Sequence, residues 1–287
     1  MINGSYEAVQ SGLTVWPLGP GSAPSSIPLP PWLLAVLSGI GQARFDQDVW
    51  LWVAACAVGY VVVSSLFWFV PALRPWRRGT VLFAGRFFGF GIPPFLALQA
   101  GLVTSSAMGL AQVDWLRPFG VGLVIAAVLL IIFALAAWHY RVWAASAGAL
   151  SALEMATAAR DAVPPYLAPF LAAAEQLYWA LLRVGGVAFL LMAGASAEIA
   201  SYWGAWAGFG LMALCWLANP AWRATVRTPI GAYAEMTRFG ILLASTVLFL
   251  FSGNLWLTWG VHMGAWWLTQ FAQARLHRAV QHGAPPA

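Results

Sequence analysis

Residues Phe239–Trp267, FGILLASTVLFLFSGNLWLTWGVHMGAWW, decide how the chain is read. Two apolar runs flank a three-residue break, Ser252-Gly253-Asn254, whose Gly-Asn composition stops one helix and starts another. No charged residue lies between Arg238 and Arg275. At roughly 20 apolar residues per crossing, the stretch is long enough for two membrane spans that reach into the interface. The second run carries a single histidine, His262. An ionisable group inside a span marks a functional site by default, so the rest of the chain is searched for partners to it.

The composition fits that reading. Of 287 residues, 61% are hydrophobic and 8% charged, where a soluble domain carries about 25% charged residues. The long uncharged runs recur throughout, which makes this a polytopic membrane protein. All the basic side chains are arginine, and they lie scattered over short loops. The net charge of +5 is therefore a matter of membrane orientation and not a nucleic-acid patch. Cys56 and Cys215 both sit within apolar runs and are too few for a disulfide framework or a thiolate metal site. The first 30 residues lack the basic start of a cleaved signal peptide.

Taken in order, residues 1–47 form an extracytoplasmic arm rich in Gly, Pro and Ser, with a short interfacial helix over 31–43. A seven-span membrane domain occupies 48–273, and 274–287 is a polar, frayed cytoplasmic tail. The expected spans are Trp50–Val70, one contained within Val81–Leu110, Phe119–Trp138, Tyr166–Met192, Ile199–Ala218, Phe239–Phe251 and Leu255–Phe271. Gly91 and the Pro93-Pro94 pair break or kink the second span. Residues 139–164 read as an amphipathic cytoplasmic helix. Arginines follow spans one, three, five and seven, while the other connections hold few or none. The positive-inside rule then puts the N-terminus outside and the C-terminus in the cytoplasm of a bacterial inner membrane. The expected fold class is all-α, a polytopic helical bundle of about seven transmembrane helices. Most of the 18 tryptophans fall near span ends, where indole suits the interface.

Within the spans the ionisable groups are Arg86, Glu175, Arg183 and His262. Arg86 lies close to the inner end of its span and can snorkel. Glu175 lies at a depth comparable to that of His262, so the two can face one another across a polar site. A glutamate can activate water as general base, and a histidine can support an oxyanion or move a proton. The same pair can also serve packing alone, through a hydrogen bond that fixes two helices. Arg183 stands two turns from Glu175, too far along the helix for a close pair. No HExxH occurs, and no histidine lies between His139 and His262, so no metal site and no bis-histidine haem is expected. There is no GxSxG elbow, and GRFFGFG lacks the strand context of a dinucleotide fingerprint. His262 as a single axial ligand to a pigment or similar macrocycle remains a further reading.

GNLWLTWGVHMGAWW resembles the last motif of the CPBP family, the CAAX-type prenyl-protein proteases and bacteriocin-processing enzymes. AAAEQLYWALLR resembles that family's EExxxR helix, and GIPPFLALQAGLVTSSAMGL is similar to its N-terminal half. The resemblance runs from about residue 50 to 272 and rests mainly on the His262 motif. It implies an intramembrane endopeptidase in which Glu175 activates water and His262 supports the oxyanion. The departures are specific. Gln176 follows Glu175, Ala180 stands where the motif's arginine belongs, and Trp266 stands in place of the HxxxN asparagine. The family's FxxxH motif should fall between Ile199 and Pro220, where there is no histidine. The expectation is therefore a catalytically impaired homologue serving as scaffold or accessory subunit beside other integral membrane proteins, without cofactor. An active glutamate-dependent endopeptidase and a pigment-binding subunit are the alternatives.

Overall fold

The computed structural model describes residues 49–73, 79–111, 117–146 and 166–281. The chain divides into Met1–Gln42 and Ala43–Ala287, and every described residue belongs to the second unit. The arm over 1–47 and its interfacial helix fall outside the described residues, as does the whole of 147–164. Among the described residues the protein is all-α, with eight helices and no strand. They are α1 (Val49–Phe69), α2 (Gly79–Gln99), α3 (Arg117–Ser146), α4 (Ala168–Met192), α5 (Ala197–Ala218), α6 (Pro220–Thr225), α7 (Pro229–Ser252) and α8 (Leu255–Gln281). Three of these hold stretches long and apolar enough to cross a membrane: Val49–Phe69, Gly120–Tyr140 and Gly231–Ser252.

Local chemistry sets the helix ends. Ser196 Oγ accepts from the Ile199 amide at 3.4 Å at the start of α5. Asn219 Oδ1 accepts from Ala221 N at 2.9 Å ahead of Pro220, which opens α6. Thr228 Oγ1 accepts from Gly231 N at 3.2 Å ahead of Pro229, which opens α7. Each places a hydroxyl or amide oxygen on amides that the first turn leaves without carbonyls, and proline tolerates the first helical position. The break singled out in the sequence works in the same way. Gly253 takes the left-handed conformation, φ 58°, and ends α7 with its amide on Phe249 O at 2.7 Å. Asn254 Oδ1 then accepts from Trp256 N at 2.9 Å and Leu257 N at 3.1 Å, capping α8.

Several expected boundaries move. α7 begins at Pro229, ten residues ahead of Phe239, because the Thr228-Pro229 start signal carries the helix through Arg238. α2 runs through Pro93 and Pro94 without interruption and ends at Gln99. Residues 100–111, the end of the stretch expected to contain the second span, are turns and bends. Proline denies the helix its own amide and crowds one carbonyl, but neighbouring turns hold the remaining ladder. His139 and Arg141 lie on the last turns of α3 and not on a separate amphipathic helix. α8 stays helical as far as Gln281, past the expected boundary at 273.

α4 is the central helix, buried along most of its length. Tyr178, Trp179, Leu181 and Leu182 meet Phe90 of α2, Met212 and Trp216 of α5, Leu242 of α7 and Ala265 of α8. α4 and α5 approach closely through glycine. A Cβ at Gly204 would stand 2.5 Å from the Val187 amide nitrogen, and one at Gly208 would stand 2.7 Å from that of Arg183. Small residues let helix backbones touch where lipid gives no hydrophobic drive between helices. On α1 and α3 the large apolar side chains, among them Val62, Leu66, Val124 and Ile131, face outward.

The α5 glycines supply a contrast within one helix. Gly204→Ala and Gly208→Ala should each destabilise the purified protein by about 1–3 kcal/mol through forced separation of two backbones. Gly210, whose Cβ would meet nothing within 4 Å, should tolerate alanine or gain about 0.5–1 kcal/mol of helix propensity. Thermal unfolding in detergent compares the three.

Candidate functional site

Glu175 lies seven residues into α4, on a helix face closed by α2, α7 and α8. Its carboxylate is almost wholly buried. Oε1 accepts from Arg86 Nη2 of α2 at 2.8 Å and from Arg238 Nη2 of α7 at 2.7 Å. Oε2 stands 3.7 Å from His262 Nε2 of α8. One carboxylate thus ties α4 to three other helices. Both guanidinium bonds are charge-assisted and short, the strong class of hydrogen bond. Arg238 is further held by aromatic faces, its guanidinium carbon 4.9 Å from the Trp216 ring and 5.5 Å from Phe90. Arg86 is the outermost member, with a third of its side chain exposed against 16% for Arg238. Glu235, one turn before Arg238, leaves a buried carboxylate oxygen without a hydrogen bond.

His262 is fixed from two further sides. Gln176 Nε2 contacts His262 Nδ1 at 3.2 Å and also donates to Ser245 Oγ of α7 at 2.7 Å. With the amide in this orientation Nδ1 is the acceptor, which places the imidazole proton on Nε2, facing Glu175. The Trp179 ring lies parallel to the imidazole, centroids 5.4 Å apart. Gln176 and Trp179 are three residues apart on α4 and so share a face. The ring nitrogens of His262 therefore both face protein groups, Nδ1 at hydrogen-bond distance from Gln176 and Nε2 3.7 Å from Glu175.

The two residues singled out from sequence, Glu175 and His262, do come together. Arg183 stays apart from them, as its two-turn offset implies. The arginines were missed as partners. Arg86 reads from sequence as a snorkelling side chain, and Arg238 as part of a basic connection after the fifth span. The signal that places Arg238 inside a helix is Thr228-Pro229, a cap followed by an N1 proline ten residues earlier. No comparable signal marks Arg86, because which helix faces Glu175 is a matter of tertiary packing.

The arrangement limits the chemistry. A general base needs a lone pair directed at water or substrate. Oε1 already accepts from two guanidinium groups, and Oε2 faces the imidazole. In this state Glu175 is a counter-ion and helix tie. Among the described residues no three of His, Cys, Asp and Glu stand close enough to hold a metal ion. Comparison with known proteins gives no relative: no family model, no curated protein and no solved structure matches the chain.

Removing one partner of a buried ion pair is costly because it strands the other charge. Glu175→Gln should therefore destabilise the protein by about 3–5 kcal/mol, leaving two guanidinium groups without their shared counter-charge. Arg86→Gln should cost less, since Arg86 reaches solvent and Arg238 remains on the same oxygen. Gln176→Leu should cost about 1–3 kcal/mol through the stranded Ser245 and His262 groups. Unfolding in detergent ranks the three, and Arg86→Gln as the most damaging would contradict the geometry.

Proposed function

We propose that this is a CPBP-like integral membrane protein of about seven spans whose proteolytic site has been converted into a structural tie, and which serves as scaffold or accessory subunit of a membrane complex. The single observation that carries the reading is the double guanidinium contact on Glu175, at 2.8 and 2.7 Å. A carboxylate neutralised in this way is a poor proton acceptor for water. The supporting histidine is likewise engaged, through Gln176 and Trp179. Ala180, at the motif position of an arginine, supplies no polar group, and Trp266, at that of an asparagine, offers an indole N–H in place of a side-chain amide. Loss of several members of a catalytic unit leaves little beyond background rate.

In this reading the seven spans are α1, α2, α3, α4, α5, α7 and α8 in a bacterial inner membrane, N-terminus outside and C-terminus in the cytoplasm. Outward-facing Trp203, Trp256 and Trp267, with the apolar faces of α1 and α3, provide contacts for lipid and for neighbouring membrane proteins. One observation favours a second reading, an active endopeptidase: Glu175 and His262 are side by side at 3.7 Å. That reading requires Arg86 and Arg238 to release the carboxylate when substrate enters.

Extraction of the protein from its native membrane in mild detergent should yield a stoichiometric assembly with other membrane proteins. The purified chain should leave prenylated and membrane-spanning peptides intact. A monomer that cleaves such peptides, with cleavage lost in both Glu175→Gln and His262→Ala, would establish the enzyme instead.

A further inference from the structure

α2 is held unevenly along its length. Its C-terminal part is fixed. Ala97 is wholly buried, and its carbonyl accepts from the Leu102 amide at 2.9 Å, which joins the helix end to the segment 100–111. That segment is tied to the start of α8 by Leu255 N donating to Gly109 O at 3.0 Å and Trp256 Nε1 donating to Leu110 O at 3.1 Å. Phe90 is buried and anchors the middle of α2 edge-on to Tyr178 of α4, ring centroids 5.2 Å apart. Ahead of Phe90 the hold is weaker. A Cβ at Gly85 or Gly89 would meet nothing within 4 Å, so this part of the helix has open space on one side. Phe83 and Phe87 lie partly buried against the core, but apolar side chains gain little by leaving lipid for protein. Among the described residues, Arg86 supplies the directional hold here, through its 2.8 Å bond to Glu175.

The two parts meet where the helix itself is weakest. A cut across an α-helix crosses about four ladder bonds. Between Phe90 and Pro93 two of them are absent, because neither Pro93 nor Pro94 has an amide to offer the carbonyls of Gly89 and Phe90. Gly91 falls in the same interval and adds backbone freedom. Sharp helix kinks concentrate at such prolines. Arg86 lies four to five residues ahead of this point, about 7 Å along the axis. A bend of about 30° there carries its Cα by about 3–4 Å. That parts the guanidinium from the carboxylate unless the side chain changes rotamer to follow. The same bend leaves Arg238 in place. Arg238 belongs to α7, is half as exposed as Arg86, and is held against the Trp216 and Phe90 rings.

We propose that residues 79–89 of α2 form a hinged arm that pivots between Phe90 and Pro94 and is clasped shut by the Arg86–Glu175 ion pair. Release of the clasp opens the Glu175 carboxylate toward the bilayer while Arg238 stays on it. The arm is independent of the scaffold and protease readings, and its test reads only the position of α2. Electron–electron double resonance on the full chain in detergent supplies that reading, with Cys56→Ala and Cys215→Ala removing the native thiols. One pair of nitroxide labels joins Gly85→Cys, on the open side of the arm, to Leu214→Cys, on the exposed face of α5. A second pair joins Phe95→Cys, exposed on the anchored part of α2, to the same α5 position. With Arg86 present, each pair should give one narrow distance. Arg86→Gln should add to the Gly85 pair a second population displaced by about 3–4 Å, and should leave the Phe95 pair unchanged. Adding Pro93→Ala and Pro94→Ala to Arg86→Gln should restore the single distance, since both ladder bonds return. Should Arg86→Gln fail to fold, Arg86→Met removes the clasp with an apolar side chain. An unchanged Gly85 distance after loss of the guanidinium would overturn the proposal. So would an equal shift at Phe95, in which the whole helix moves, or a second population that survives replacement of both prolines.

Discussion

The structure depends on one buried carboxylate. Glu175 cannot sit in the centre of a helix bundle as an unpaired anion, because the interior solvates charge poorly. It therefore draws Arg86 from α2 and Arg238 from α7 onto a single oxygen and turns the other oxygen toward His262 of α8. Three helices are brought to α4 at one level by that requirement. Gln176, the next residue, extends the tie to Ser245 and to the far side of the imidazole. Two consecutive residues on α4 thus organise the polar interior, and the aromatic rings of Trp179, Trp216 and Phe90 close around them.

Around this polar centre the packing is made by small residues. The α4–α5 contact rests on Gly186, Gly204 and Gly208, where the backbones touch and no side chain would fit. On the opposite side the α7–α8 turn accepts the 100–111 segment against Gly253, which needs both a left-handed backbone and the absence of a Cβ on its neighbour Gly109. These contacts fix where α4 and α7 stand, and hence where Glu175 and Arg238 meet. The outward faces of α1 and α3 carry large exposed apolar side chains, and each of these helices holds a stretch long and apolar enough to cross a membrane.

Much of this was legible before any coordinates, and the reasons differ by residue. The α7–α8 break was readable because Gly253 and Asn254 are local signals, one for ending a helix and one for starting the next. The all-helical class followed from long uncharged runs. The meeting of Glu175 with His262 was readable from matched depth in their spans. Their neighbours were not. Arg86 and Arg238 reach Glu175 from helices 89 and 63 residues away, and only packing brings them there. Pro93 and Pro94 read as a break or a kink, and α2 is not broken there because proline removes one hydrogen bond at a time and the flanking turns persist. The same limitation applies to Arg183. Its distance from Glu175 was visible in the sequence, but its burial against Phe249 was not.

The central claim is that Glu175 is an ionised tie between two guanidinium groups and not a carboxyl poised for proton transfer. Infrared difference spectroscopy of the folded protein, wild type against Glu175→Gln, tests it most directly. A lost carboxylate stretch, shifted again when Arg238 is replaced by glutamine, is the result the structure predicts. A lost carbonyl stretch from a protonated carboxyl, unchanged by replacement of either Arg86 or Arg238, would contradict it.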